Sequence, residues 1–163
     1  MDKSIGRMIT LLSRKCQSYL SRELNKYNLT TAEQPFFMVL QRCEGITQDD
    51  LTAMVCVDKS ATARAVKSLE EKGFLIRVQD QNNRRQNRIY PTEKAKQMGE
   101  DVRKELLHFN DLLIQGILPQ TTEDVYFALQ KMERNLEDIL GEKNSINNKE
   151  KHNETDGQTG ANF

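Results

Sequence analysis

Apolar residues in the first part of the chain recur every three or four positions, a spacing that places them on one face of an α-helix. The members of this stripe are Ile5, Met8, Ile9, Leu12, Cys16, Tyr19, Leu20, Leu24 and Tyr27. They predict a helix from about Ser4 to Tyr27, roughly 35 Å long at ~1.5 Å per residue. We expect a helix of that length, in so small a domain, to pack partly against another subunit.

Two capping pairs predict where shorter helices begin. Thr30 and Glu33 have the spacing of a capping box, which adds about 1 kcal/mol to a helix start, and an apolar run follows them. Thr47 and Asp50 have the same spacing and open a third helix, which is expected to end in a turn at Cys56. Two helices joined by such a short turn are typical of a helix-turn-helix.

A fourth helix is predicted between Asp58, which can cap its start, and Gly73, which supplies a left-handed stop. Its core-facing positions fall at i, i+3, i+4 and i+7: Thr62, Ala65, Val66 and Leu69. Helical geometry then assigns the opposite face to Ser60, Ala61, Ala63, Arg64 and Lys67. Two alanines, one hydroxyl and two cations form a shallow surface that would let the helix backbone settle deep into a DNA major groove.

Each side chain of that outer face has a chemically reasonable DNA partner. Arg64 can bond guanine O6 and N7 in bidentate fashion, and the methyl groups of the alanines can pack against thymine methyls. Ser60 can bond a base or a phosphate, while Lys59 and Lys67 can neutralise phosphates. For this helix in isolation, a solvated polar face explains the pattern equally well.

The segment after the fourth helix shifts the balance toward DNA. Apolar residues predict a strand, a turn follows from Asp80 to Asn83, and Gln86 to Tyr90 form a returning strand. The hairpin tip carries Arg84 and Arg85, and paired arginines suit a narrow minor groove, where the electrostatic potential is most negative. Together with the polar helix face, this hairpin predicts a winged helix-turn-helix.

Charge supports a basic module inside a neutral protein. The 163 residues include 24 basic and 24 acidic side chains. Between Lys59 and Arg88, however, eight basic residues stand against three acidic ones. The three cysteines have no CxxC spacing, so we expect neither a disulfide framework nor a metal site, and no cofactor is indicated. With no signal peptide or membrane span visible, a cytoplasmic location is expected.

Two further apolar stripes follow the hairpin, separated by Pro119, and Thr121 with Asp124 can cap the second. The stripes are Ala95, Met98, Val102, Leu106, Phe109 and Leu113, then Val125, Leu129, Met132, Leu136 and Ile139. They could form an intramolecular bundle around one core. Because the winged module already has a core of its own, we instead expect a second copy of the chain to cover them.

The chain is therefore expected to be one mainly α-helical domain with a small β-wing over residues 1–141. The DNA-binding part covers about residues 30–91, and dimerisation helices cover about 4–27 and 93–140. Residues 142–163 are rich in Asn, Lys, Glu and Gly and cannot bury enough apolar surface to offset their ordering entropy. They predict a disordered tail, with a partner-binding arm as the alternative.

The sequence resembles the MarR family of bacterial transcriptional regulators over residues 4–140. The likeness is carried by Asp58-Lys59-Ser60, Leu69-Glu70-Glu71-Lys72-Gly73, Asp80-x-x-Asn83-Arg84-Arg85 and Thr92-Glu93-Lys94. It implies a homodimer that places the helix of residues 59–72 in the major groove and the wing in the adjacent minor groove. It also implies that Arg85 is the wing-tip arginine and that Asp80 braces the wing. The chain departs from the family pattern at Asn83, usually Asp, at Pro91, usually Leu, and at Thr62, usually aliphatic.

The expected function is sequence-specific regulation of transcription, as a repressor, on double-stranded DNA with a pseudo-palindromic operator. An enzyme is not expected, since the sequence has no HExxH, no Gly-rich phosphate loop and no GxSxG. The alternative is a winged-helix module that contacts proteins and binds no DNA.

The controlling signal is less well defined by the sequence. Some members of the resembled family respond to a phenolic small molecule, and others to oxidation of a cysteine in the first helix. Cys16 and Cys43 fall on apolar faces and are expected to be structural. Cys56 lies in a turn beside the recognition helix, where a thiol can gain thiolate character, although Asp58 opposes this. Redox control through Cys56 is therefore a hypothesis.

Overall fold

A computed structural model describes residues 4–155 except 82, 84 and 85, with side chains through residue 140. Within those residues there are six helices and three short strands. In chain order they are α1 (Ile5–Asn25), α2 (Gln34–Leu40), β1 (Ile46–Thr47), α3 (Gln48–Val55), α4 (Lys59–Glu71), β2 (Leu75–Gln79), β3 (Asn87–Pro91), α5 (Glu93–Ile114) and α6 (Pro119–Thr155). The chain divides into two compact units between Leu113 and Ile114. The predicted fold class, mainly α with a small β-wing, is confirmed.

The first unit is built around one apolar core that draws on every element from α1 to α5, with the partly buried Ile46 of β1 packed against it. Its largest fully buried side chains include Leu24 of α1, Phe37 of α2, Leu51 of α3 and Phe74. The rings of Phe37 and Phe74 meet edge to face, with centroids 5.6 Å apart. This core holds α2, α3 and α4 against the sheet and so fixes the position of α4.

The sheet is antiparallel with strand order β1-β3-β2, and its register pairs Ile46 with Ile89 and Leu75 with Pro91. The two strands of the wing were predicted from the sequence, but β1 was not. Two residues are too few to show the alternation that identifies a strand. Pro91 lies at the end of β3, where its missing N–H costs little.

The starts of the first four helices follow the predicted caps with one shift. Ser4 caps α1 by accepting the Arg7 N–H at 3.2 Å. Thr30 and Glu33 exchange the hydrogen bonds of a capping box, at 2.8 and 3.2 Å, but they close a turn and α2 begins after them at Gln34. The predicted start was therefore too early, because the same reciprocal bonds can close a turn as well as a helix.

The last helix differs from the sequence prediction at both ends. It begins at Pro119, two residues before Thr121, since proline is well suited to the first position of a helix. It continues to Thr155, whereas the sequence predicted a disordered tail from residue 142. Residues 142–155 contain no Gly or Pro, and their Lys and Glu are good helix formers. The rest of the predicted tail, residues 156–163, lies outside the described residues.

No helix in the described part of the chain is both long and apolar enough to cross a membrane.

Candidate nucleic-acid interface

Helix α4, which the sequence predicts to be the DNA-recognition helix, has the register expected from its apolar positions. Thr62, Val66 and Leu69 are fully buried and Ala65 is 7% exposed. On the opposite face, the side chains of Ser60, Ala63, Arg64 and Lys67 are exposed and Ala61 is partly exposed. The surface predicted to read DNA therefore faces outward, with short side chains over most of its area.

The cations of that face are not equivalent. Lys59 pairs with Asp49 at 3.0 Å, and Lys67 lies 3.8 Å from Glu71, both pairs being largely exposed. Exposed pairs of this kind are weak and exchange readily for phosphate. Arg64 forms no ion pair within the part of the chain that the structure describes. Its guanidinium is therefore available to a base edge.

Three other basic side chains of the winged module form ion pairs with carboxylates of the same chain. Lys72 pairs with Glu33 at 2.7 Å. Arg77 pairs with Glu70 at 2.9 Å. The third, Arg88, is bound to a wing carboxylate. Glu70 and Asp80 are already among the three acidic residues counted between Lys59 and Arg88, so of these three pairs only that with Glu33 lowers the local excess of positive charge further.

A hydroxyl chain joins the two helices of the helix-turn-helix. Thr62 is fully buried, and its Oγ1 lies 3.0 Å from Thr52 Oγ1 and 3.1 Å from the Asp58 carbonyl. Thr52 Oγ1 in turn lies 2.8 Å from the Gln48 carbonyl. The departure from an aliphatic residue at Thr62 therefore leaves no unsatisfied hydroxyl and adds a polar link between α3 and α4.

Both helices of the pair begin with carboxylates whose pKa is lowered. Asp58 accepts the Ala61 N–H at 2.8 Å, and that backbone hydrogen bond lowers the pKa of the carboxyl. In the capping box of α3, the Thr47 hydroxyl and N–H donate to Asp50 and lower its pKa. Both side chains therefore carry negative charge at neutral pH, where they complement the helix dipole.

The wing is held at its base by a buried carboxylate. Asp80 is 7% exposed and accepts from Arg88 Nε at 2.7 Å, and its backbone N–H donates to the Gln86 carbonyl at 3.0 Å. Arg88 Nη1 also donates to the Gly45 carbonyl at 2.8 Å, which ties the hairpin to the segment before β1. The predicted tip residues Arg84 and Arg85 lie outside the described residues.

The residue that the sequence reasoning missed here is Arg88. It was counted only as one cation among eight, because its partners lie eight and 43 positions away along the chain. The signal available in the sequence was a lone arginine in a β-strand opposite Val78. That signal alone does not identify a partner.

Comparison with known proteins places this geometry in a family. The MarR family model matches residues 37–86. A HTH-type transcriptional regulator of Bacillus subtilis (strain 168), YybA, is 29% identical over 133 residues, covering 82% of this chain and 89% of that protein. The crystal structure of a MarR transcriptional regulator from Methanosarcina mazei Go1 is 30% identical, with a TM-score of 0.72, covering 83% of this chain and 97% of that one. The chain belongs to the MarR family.

Other solved MarR-type structures agree with the assignment. The transcriptional regulator SlyA is 30% identical with a TM-score of 0.76, covering 82% of this chain and 94% of that one. A MarR-family regulator from Listeria monocytogenes, solved in complex with a 26mer DNA, is 27% identical with a TM-score of 0.73, covering 82% and 89%. The predicted family is confirmed, and the protein is a transcriptional regulator and not an enzyme.

The cysteines of this MarR-family chain differ in exposure. Cys16 and Cys43 are half-buried, and Cys56 is exposed. Cys56 ends α3 with φ of +56° and ψ of +45°, the left-handed region that side chains with a Cβ disfavour. Its Sγ lies 3.4 Å from the Ala53 carbonyl. The described part of the chain holds no group of three or more metal-ligating side chains.

An open cavity of about 500 Å³ lies between α2, α3 and α5 of this MarR-family chain. Its walls are mostly apolar, and Arg42 and Arg103 lie at its edge. Arg103 is bound to Glu100 at 3.0 Å. Positive charge at the cavity therefore comes from Arg42, because the Arg103 guanidinium is already bound to a carboxylate.

Proposed function

We propose that this MarR-family regulator binds a pseudo-palindromic operator as a homodimer and represses transcription from it. The observation that carries the proposal is the outer face of α4, on which Arg64 stands beside small side chains. The DNA complex of the Listeria monocytogenes relative supports DNA as the ligand. The proposed contacts are Lys59, Ser60, Ala61, Ala63, Arg64 and Lys67 in the major groove, with Arg84 and Arg85 in the minor groove.

Exposed apolar side chains support the homodimer. Along α1 they are Ile5, Met8, Ile9, Leu11 and Leu12, and along α6 they are Val125, Tyr126, Phe127, Leu129, Leu136, Ile139 and Leu140. An exposed apolar stripe of this extent on a helix marks a protein interface. A second copy of the chain would bury both stripes and would hold two recognition helices about one DNA turn apart.

Sedimentation equilibrium tests this assembly. We expect a dimer for the native chain and a monomer for Leu12→Glu or Phe127→Glu, because a charge in the centre of a buried apolar patch is costly. The exposed Glu137→Gln in α6 serves as a control that changes charge without adding it to an apolar position. A native chain that stays monomeric at micromolar concentration would exclude operator binding by a two-fold symmetric dimer.

The DNA contacts are tested by selecting bound sequences from random duplexes and then titrating the selected operator. Arg64→Ala is expected to weaken operator binding by about 1–3 kcal/mol per half-site and to relax base preference at one position. Arg14→Ala, which removes one exposed arginine of α1 outside the winged module, controls for net charge. Equal affinity of the native chain and Arg64→Ala for the operator would contradict the assigned role of Arg64.

The competing function is a winged-helix module that contacts proteins and binds no DNA. Salt separates the two, because release of counterions makes DNA affinity fall steeply as salt rises. Repression is tested with a reporter gene behind the operator, whose expression should fall when the regulator is present. A rise in expression would instead indicate an activator.

Release from the operator by a signal is part of the proposal. The cavity beside Arg42 and Arg103 fits an apolar molecule with a carboxylate or phenolate group, and Cys56 is the exposed thiol next to α4. Operator titrations with aromatic carboxylates test the first route, with Arg42→Ala as the variant expected to lose the response. A peroxide response retained in Cys56→Ser would contradict the second route.

A further inference from the structure

A buried carboxylate joins the end of the recognition helix to the turn between α1 and α2. Glu33 is 4% exposed. Its oxygens accept from Lys72 Nζ at 2.7 and 2.8 Å, from Ser68 Oγ at 2.5 Å and from the Thr30 N–H at 2.8 Å. Burial opposes ionisation of Glu33, but the hydrogen bonds from Lys72, Ser68 and Thr30 outweigh it and hold its pKa below the ordinary value. One ionised side chain thus connects two segments far apart in sequence.

The same end of α4 is held from another side by the start of α5. Lys94 Nζ donates to the Lys72 carbonyl at 2.8 Å and lies 4.5 Å from the centre of the Phe74 ring. Thr92 Oγ1 donates to the Gly73 carbonyl at 2.7 Å. The segment between α1 and α2 and the start of α5 therefore both form hydrogen bonds to the C-terminal end of α4 and the residues that follow it.

These hydrogen bonds lie away from the part of α4 that is proposed to contact bases. Ser68 and Lys72 lie about 6 and 12 Å along the helix axis from Arg64, at ~1.5 Å per residue. The Lys72 side chain is 21% exposed and its ammonium is bound to both oxygens of Glu33, so its charge is directed inward. An internal ion pair of this kind contributes little net stability, because the cost of removing both charges from water offsets their attraction.

We propose that Glu33 and Lys72 are positioning residues for DNA recognition. They set the angle of α4 relative to α1 and α2, and through that angle the fit of Arg64 to a base edge, without touching DNA themselves. A bidentate contact from Arg64 needs a defined orientation, whereas contacts to phosphate from flexible lysines tolerate a small rotation. The inference rests on the proposed reading function of α4.

The test compares Lys72→Met, which keeps length and apolar volume without charge, with Lys72→Arg, which keeps the pair with Glu33. In the full-length protein, we expect Lys72→Met to bind the selected operator about tenfold more weakly and non-operator DNA within about twofold of the native chain. Lys72→Arg should restore operator affinity. The matched control is Glu70→Gln in α4, which breaks the ion pair between Glu70 and Arg77 of β2 and should change neither affinity.

Two results would overturn the proposal. One is a folded Lys72→Met with native operator affinity, and the other is equal losses on operator and non-operator DNA. If Lys72→Met does not fold, Ser68→Ala removes one hydrogen bond to Glu33 and should show a smaller loss confined to the operator; an unchanged operator affinity would then count against the proposal.

If the native chain selects no DNA sequence, the proposed function is contradicted. The positioning role can then be tested without DNA, by hydrogen exchange. In Lys72→Met, or in Ser68→Ala if the former does not fold, amides of α4 should lose protection while those of α3, held by the capping box of Thr47 and Asp50, keep it. Equal loss in both helices would show general destabilisation and would overturn the positioning role.

Discussion

Cys56→Gly is expected to stabilise the protein, since Cys56 ends α3 in the left-handed region at φ +56°. A residue with a Cβ is disfavoured there by about 1–2 kcal/mol. Glycine removes that strain but adds about 0.5–1 kcal/mol of chain entropy to the unfolded state. From the middle of each range, the difference is a gain of about 0.75 kcal/mol in the free energy of unfolding. Because Cys56 is exposed, little burial is lost.

The assay is urea unfolding under reducing conditions at one protein concentration, with the thermal midpoint as a second measure. The thermal midpoint should rise by about 2–4 °C for each 1 kcal/mol gained in the free energy of unfolding, in a chain of this size. Cys56→Ala is the first control, because it removes the thiol and keeps the Cβ, and it should give no gain. Asn28→Gly is the second, because Asn28 has φ of +55° but asparagine tolerates that region.

Two outcomes would refute the reasoning about Cys56. If Cys56→Ala stabilised as much as Cys56→Gly, the gain would come from the loss of the thiol and not from the backbone. If Asn28→Gly gained as much as Cys56→Gly, the left-handed position would carry no penalty specific to cysteine.

Three further predictions concern the links around α4 and the wing. Thr62→Val should lie within about 1 kcal/mol of the native chain in urea unfolding, because its partners keep other hydrogen bonds, whereas Thr62→Ala should cost about 2 kcal/mol; equal losses would contradict this. Asp50 has a lowered pKa through the Thr47 hydroxyl and N–H, so its stabilisation is present above the unfolded pKa of about 3.9 and is lost as pH falls through the lower folded value. In Asp50→Asn, the free energy of unfolding should therefore fall less steeply as the pH is lowered below about 4. An unchanged pH dependence would show that Asp50 does not contribute to it. Arg88→Met should make the Asp80 amide exchange at least about tenfold faster, since a charge-assisted hydrogen bond contributes about 1.5–3 kcal/mol, and native protection would show that Arg88 is dispensable to the wing.

The sequence predicted those features whose causes are local. The capping box of Thr47 and Asp50 spans four residues, and the buried register of α4 follows from helical periodicity alone. Both appear in the structure as expected. The outward face of α4 follows from the same register, so Arg64 could be assigned to the surface before any tertiary contact was known.

The sequence did not predict the links that depend on packing between distant segments. Glu33 was recognised as a capping partner of Thr30, but its bonds to Ser68 and Lys72 span 35 and 39 positions. The bond from Arg88 to the Gly45 carbonyl spans 43 positions. Which of several cations meets a given acceptor is set by how helices and strands pack, and periodicity carries no information about it.

The internal pairing of Lys72 and Arg88 has a consequence for the search along the genome. Affinity for arbitrary DNA comes from the number of phosphates neutralised, and these two side chains neutralise buried carboxylates of the protein instead. A chain of zero net charge is therefore expected to dissociate quickly from DNA that lacks the operator sequence. Its residence time on DNA would then depend on the proposed base contacts of α4, so that discrimination between sequences would arise from the dissociation rate and not from the association rate.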